Sequence, residues 1–271
     1  MSIVHKIIPT KPFSFNTLNQ NLSIENLVID PKNETLNYYY VKGKSARGFD
    51  VSIDDGYIEI RNTTLSNQAD YEITNTIASL IIEMFGGNLY NEDDDSLEIE
   101  ILYSKDRILD LMLNDARIIN ILSREKEEIE IFCPIRNVFF GSNTYKKFGH
   151  LEGEDLKNEV YNLIQKVQYQ LPDYPAGNIM RMGTDENPKI LKLITRETDY
   201  IISKYDNIIF YLGDNQLLMI DNKILVSIIP KSWQLIDNLI IVAPRLDEKE
   251  WGKLIEDATP FNMYDGFNKK A

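Results

Sequence analysis

The stretch from Leu36 to Arg61 constrains the fold more than any other part of the chain. Leu36-Asn37-Tyr38-Tyr39-Tyr40-Val41 is rich in aromatic and branched residues, and Gly43 to Gly48 reads as a loop. Phe49-Asp50-Val51-Ser52-Ile53 and Tyr57-Ile58-Glu59-Ile60-Arg61 both alternate apolar and polar residues, with Asp54-Asp55-Gly56 between them. Period-two alternation belongs to strands, and Asp-Gly between two such runs is a strong hairpin signal. The segment therefore predicts an antiparallel meander.

A helical period takes over next. Ile73, Ile77, Leu80, Ile81 and Met84 form one apolar stripe, Ser66 or Asn67 can cap its start, and Gly86-Gly87 supplies a left-handed stop. Asp70 sits near the positive end of that helix dipole. A second helix is expected from Lys105 to Leu122 behind Ser104, with apolar residues nearly all round, which predicts deep burial. Glu128 to Phe132 is expected as a strand, with Val138-Phe139-Phe140 extending the sheet. Leu156, Val160, Leu163, Ile164, Val167 and Leu171 mark a third helix, ended by Pro172.

The C-terminal part reads as strands again. Residues 189–205 fit helix or strand equally well. Ile208–Leu212 and Gln216–Ile220 flank the hairpin loop Gly213-Asp214-Asn215, followed by strands at Ile224–Ile229 and Asn238–Val242. Asp247 and Glu250 stand in capping-box positions before a last helix with Trp251, Leu254 and Ile255 inside. Strands cluster and helices follow singly, without βαβ alternation. The expected class is α+β, antiparallel meanders with amphipathic helices packed on one face. The three glycines between 141 and 153 place a soft boundary there, giving halves 1–145 and 146–271.

Charge and rare residues narrow the function. With 29 basic and 42 acidic residues among 271, the net charge is −13. Such a chain repels nucleic acid unless basic residues are concentrated, and its lysines and arginines are scattered. It suits a basic protein partner or simply a well-solvated surface. No apolar run approaches the ~20 residues of a membrane helix, and the N-terminus lacks signal-peptide character, so the expected location is the cytoplasm. Abundant Asn, Ile and Lys fit an AT-rich bacterial or phage genome.

One cysteine, Cys133, and two histidines, His5 and His150, leave no visible zinc set and no histidine-bearing triad. Gly43-Lys44-Ser45 resembles only the tail of a phosphate loop. Tyr38 stands where its first glycine belongs, and a hairpin follows instead of a helix. No cofactor is expected.

The candidate ligand or partner residues are Arg47, Glu92, Asp93, Asp94, Asp95 and Tyr264. Arg47, in the loop Ser45-Ala46-Arg47-Gly48, can fork onto a carboxylate or phosphate; the plainer expectation is a surface ion pair with Asp50, Asp54 or Asp55. The run Glu92–Asp95 is acidic enough to attract cations, but it lacks calcium-loop spacing and reads first as a solvated turn. Tyr264 lies in the aromatic tail Phe261–Phe267, suited to docking or to a protein partner. The leading expectation is a cytosolic binding protein, in a concrete form an inhibitor or immunity-type protein covering a basic surface. The alternative is a hydrolase or transferase using loop carboxylates and Arg47, which requires a concave pocket around that arginine.

Overall fold

The computed structural model describes residues 2–93, 95–97, 102–126, 128–184, 186–203 and 205–262. The chain forms two compact units, residues 1–170 and 171–271. The division falls after Gln170 and not in the glycine-bearing stretch 141–153. That stretch holds a helix, Ser142–Phe148, which like the next helix, Gly153–Gln165, packs on the helix at Lys105–Glu125 and so stays with the first unit.

In the first unit the order is β1 (Ser2–Ile8), α1 (Phe15–Asn21), β2 (Leu27–Asn33), β3 (Leu36–Val41), β4 (Phe49–Asp54), β5 (Tyr57–Thr63), α2 (Gln68–Phe85), β6 (Asn88–Tyr90) and β7 (Ser96–Leu97). Then come α3 (Lys105–Glu125), β8 (Glu128–Ile131), β9 (Val138–Gly141), α4 (Ser142–Phe148), α5 (Gly153–Gln165) and a π-helical turn at Lys166–Gln170. β1 to β7 form one sheet in the order β2-β3-β4-β5-β1-β6-β7, antiparallel throughout.

The expected meander is β2 to β5, and its alternation sorts the two faces. Tyr39, Val41, Phe49, Val51, Ile58 and Ile60 are buried and meet the stripe Ile73, Ile77, Ala78, Ile81 and Phe85 of α2. The intervening Tyr38, Tyr40, Asp50 and Arg61 point to the opposite face. The helix starts at a capping box. The Asn67 side chain accepts the Asp70 N–H and the Asp70 carboxylate accepts the Asn67 N–H.

Two expectations fail in this unit. β8 and β9 do not extend the large sheet but pair only with each other. α3 is not buried all round: Ile108, Ala116 and Ile119 face the core, while Leu109, Ile118 and Ile121 are 36 to 47% exposed. Apolar count alone overstated its burial, since α3 packs against neighbours on one side only.

A buried polar chain ties β1 to β5 and α2. Tyr103 meets the fully buried His5 edge-on, with ring centroids 5.3 Å apart. Its hydroxyl lies 3.5 Å from His5 Nδ1 and donates to Asn62 Oδ1 at 3.2 Å. Asn62 donates on to Thr74 Oγ1 at 3.0 Å.

The second unit runs β10 (Asn178–Thr184), β11 (Asn187–Ile194), β12 (Tyr200–Ile202), β13 (Asn207–Gly213), β14 (Gln216–Asp221), α6 (Asn222–Ser227), β15 (Gln234–Leu235), β16 (Ile241–Ala243), α7 (Glu248–Ile255) and β17 (Thr259–Pro260). One sheet has the order β10-β11-β13-β14-β17, with β11 and β13 parallel, and a small one the order β12-β16-β15. Within the ambiguous stretch 189–205, β11 and β12 are strands joined by a turn at 195–199. The strand expected at Ile224–Ile229 is instead the short helix α6, because Asp221 caps it through the Lys223 N–H and Asn222 anchors on the Ser203 carbonyl. α7 carries the expected Asp247 cap, and its Trp251 packs edge-on against Phe210.

Lys192 is fully buried. Its ammonium donates to Tyr205 Oη at 3.0 Å and to the Ile201 carbonyl at 3.3 Å, and it lies 4.3 Å from the Tyr205 ring centroid.

These two burials make stability depend on pH. Desolvation, with the charge of Arg107 adding to it, lowers the His5 pKa from 6.5 to about 4. Its contribution is therefore fully present above pH 6.5 and is lost as pH falls toward 4, a difference of roughly 3 kcal/mol. His5→Gln should remove that part of the pH slope in urea unfolding at pH 7, 5.5 and 4; equal slopes for the two proteins would refute it. Burial also lowers the Lys192 pKa, partly offset by the Tyr205 hydroxyl. The ammonium thus costs stability at neutral pH, a cost relieved as pH rises toward the unfolded value near 10.5. Lys192→Met should leave the second unit as stable or more stable, by up to about 2 kcal/mol, in thermal melts at pH 7.

Candidate functional site

The site is built on the loop that joins β3 to β4. Its anchor is Asp70, fully buried in the first turn of α2. One carboxylate oxygen accepts the N–H groups of Ala46 at 3.1 Å and Arg47 at 2.9 Å, and the other accepts Gly48 N–H at 3.0 Å. The Ser45 hydroxyl accepts Val41 N–H at 2.8 Å. Burial raises the Asp70 pKa, while the loop N–H groups, the Asn67 N–H and the Ser45 hydroxyl pull it back down. Such a carboxylate stays buried because its lone pairs are filled by donors.

The carbonyls of the same loop are satisfied from elsewhere in the unit. Lys44 O accepts from Asn67 Nδ2 and Gln165 Nε2, each at 2.8 Å. Ser45 O accepts from Tyr169 Oη at 2.9 Å, and Ala46 O from Gln168 Nε2 at 2.7 Å. The Tyr38 hydroxyl donates to Arg47 O. Gly48 is required here: at φ 63° an added Cβ would lie 2.5 Å from the Tyr39 carbonyl oxygen and 2.8 Å from Tyr38 Oη. A loop tied through both its donors and its acceptors holds its side chains in fixed directions.

The side chain it presents is Arg47. Nη1 donates to the Thr64 carbonyl at 3.0 Å. Nε is buried and has no hydrogen-bond partner. Next to Thr64, Leu65 adopts a left-handed conformation at φ 70°, and its N–H donates to Asp115 Oδ2 at 2.7 Å. That arrangement costs a leucine about 1–2 kcal/mol and is held in place by α3. The expected ion pair of Arg47 with Asp50, Asp54 or Asp55 is not formed: Asp50 pairs with Arg61, at 2.5 Å, and Asp54 accepts from Tyr57.

Strand register assembles the rest. Asp30 on β2 faces Tyr38 on β3, Tyr38 faces Asp50 on β4, and Asp50 faces Arg61 on β5. Directly paired residues share a face of a sheet, so these four form a row on the side away from α2. Lys32 pairs with Asp30 and stands 5.5 Å from the Tyr38 ring centroid. The row, Arg47 and the β8–β9 connection at Phe132–Pro134 enclose a pocket of about 370 Å³. Arg47 therefore lies in a concave site. Cys133 lines it too, with its thiol pushed up to about 12 by burial, so it stays protonated at neutral pH.

Glu92, Asp93 and Asp95 do not line this pocket. Glu92 Oε1 accepts the Val4 N–H at 2.8 Å, and Asn91 Oδ1 accepts the N–H groups of Asp93 at 3.0 Å and Asp95 at 2.8 Å. Glu92, Asp93 and Asp95 are thus held by side-chain-to-backbone bonds between β6 and β7. Asp94 and Tyr264 lie outside the described residues. Among the described residues no group of acids, histidines and cysteine is arranged to hold a metal ion, and no helix is long and apolar enough to cross a membrane.

The model of one family, described as Domain of unknown function (DUF4299), matches residues 2–191. The chain belongs to this family. The DUF4299 match spans the whole Arg47 pocket and reaches into β11 of the second unit. No curated protein and no solved structure matches the chain.

Sequence reasoning singled out Arg47 and missed the residues around it. Asp70 read as an ordinary helix-dipole acid, and Gln168 and Tyr169 carried no signal, since they reach the loop from more than a hundred positions away. A retrievable signal existed for Arg61: counted outward from the Asp-Gly turn, it falls opposite Asp50.

Asp70→Ala should strand the N–H groups of the loop and cost about 3–5 kcal/mol, read as a lower urea midpoint with an unchanged m-value. A loss below about 1 kcal/mol, the size of a single exposed hydrogen bond, would show that the loop does not depend on the carboxylate.

Proposed function

We propose that this DUF4299 chain is a binding protein whose Arg47 pocket receives an anionic group. The observation that carries the reading is Arg47 itself, a guanidinium whose Nε lacks a partner, held by a loop with its backbone bonded on both sides. The Nε–Nη2 edge of a guanidinium grips a carboxylate or phosphate through two parallel hydrogen bonds. Nη1 is taken by the Thr64 carbonyl, which leaves the Nε edge for the anion. Lys32 and Arg61 line the same cavity, each paired with an aspartate, so among the described residues Arg47 is its uncompensated cation.

Binding is favoured over hydrolysis or group transfer by the state of the pocket's acids. Asp30 is engaged by Lys32 and Asp50 by Arg61, whereas a general base needs a carboxylate lone pair aimed at the reacting proton. A basic partner docking on the acidic turn, the expectation from net charge, draws no support from that turn, whose Glu92 and Asn91 side chains bond to backbone N–H groups. The proposal is therefore a binder that recognises an anion in place of a basic surface.

The test is titration of isotope-labelled protein with acetate and with inorganic phosphate. Amide shifts should concentrate at Arg47, Gly48 and Phe132, and Arg47→Ala should weaken the response at least tenfold. Shifts of the same size elsewhere on the surface, or an unaltered titration in the variant, would overturn the proposal.

A further inference from the structure

The cross-strand row narrows which anion the Arg47 pocket takes, an assignment that rests on the pocket being an anion site. Arg61 donates to Asp50 Oδ2 through both Nε, at 3.2 Å, and Nη2, at 2.5 Å. Both donors converge on one carboxylate oxygen. Arg61 is 46% exposed and Asp50 20%. The pair sits on the pocket wall, in the same cavity as Arg47.

We infer that the ligand is a phosphomonoester on an aromatic body, and that Asp50 is a built-in competitor which releases Arg61 to it. Charge and shape both point this way. A carboxylate has one negative charge and one plane of oxygens, which a single guanidinium edge satisfies. A phosphomonoester is close to a dianion at neutral pH, with three terminal oxygens set tetrahedrally, and accepts two guanidinium forks from different directions. This pocket has two guanidinium groups, one without a carboxylate partner and one whose partner is a partly solvated aspartate. Exposed ion pairs are weak and open readily, so a dianion can outcompete Asp50 for Arg61.

The aromatic body follows from the remaining wall. The Tyr38 and Tyr40 rings lie side by side, with centroids 5.8 Å apart, and Phe132 at the rim is 67% exposed. A flat ring placed among them buries apolar area that is now wet. The volume of about 370 Å³ admits a phosphorylated ring but not a large cofactor.

Calorimetry with phenyl phosphate, inorganic phosphate and benzoate tests the inference on the full chain. Wild type should bind phenyl phosphate at least fivefold more tightly than either of the others. Asp50→Asn should tighten phenyl phosphate binding at least fivefold, and Arg61→Ala added to it should cancel that gain. Asp55→Asn makes the same change in net charge at the exposed β4–β5 turn and should leave affinity within twofold. Benzoate should respond to Asp50→Asn no more than to Asp55→Asn. Equal effects of the two asparagine variants on phenyl phosphate, or benzoate bound as tightly as phenyl phosphate, would overturn the inference while leaving an Arg47-dependent anion site standing. No Arg47-dependent binding of any of the three would remove the underlying reading as well. Thermal melts of each variant confirm that folding is intact.

Discussion

The first unit depends on one buried carboxylate. Burying the Asp70 charge would cost several kcal/mol in isolation, yet Asp70 is wholly enclosed because four donors converge on it. All four are backbone N–H groups, and these have no side chain to move out of the way. The carboxylate thus joins two features that need each other. The first turn of α2 needs an acceptor for its free N–H groups, and the β3–β4 loop needs an acceptor for its own. One side chain serves both, which fixes the loop to the helix that packs against the sheet.

The consequence is rigidity where a ligand would be met. Loops are usually the mobile parts of a domain. This one has its N–H groups tied to α2 and its carbonyls tied to α5, the π-helical turn and β3. Arg47 therefore projects from a fixed base, so less conformational entropy is lost when an oxyanion is gripped. The sheet contributes the opposite wall through register alone. Pairing places Asp30, Tyr38, Asp50 and Arg61 in line, and a one-residue slip of any one strand would turn its member of the row into the core.

The local part of this was legible in the chain. Alternation from Phe49 to Arg61 around Asp54-Asp55-Gly56 marked the hairpin, and the stripe from Ile73 to Met84 marked α2, because both periods follow from backbone geometry and can be counted along the sequence. Reasoning failed where a local signal had to compete with a distant one. Ile224–Ile229 is apolar enough for a strand, but the Asp221 cap and the Asn222 anchor on Ser203 favour a short helix. Val138-Phe139-Phe140 has strand composition, and composition does not say which sheet a strand joins. The soft boundary at 141–153 followed glycine content, whereas the units are divided by packing, which keeps α4 and α5 with α3.

The sequence by itself determined the α+β class, the meander, the principal helices and the presence of Arg47 in a loop between strands. These depend on periodicity and turn chemistry over short stretches of chain. Only the tertiary structure decided the surroundings of Arg47. Its expected partner Asp50 is taken by Arg61, and its loop is held by Asp70, Gln168 and Tyr169, which bond to it across 23, 122 and 124 positions. A charge becomes a binding site when its neighbours fix its direction and leave some of its donors unmatched. Those neighbours are chosen by packing across the fold, a property that no local pattern encodes.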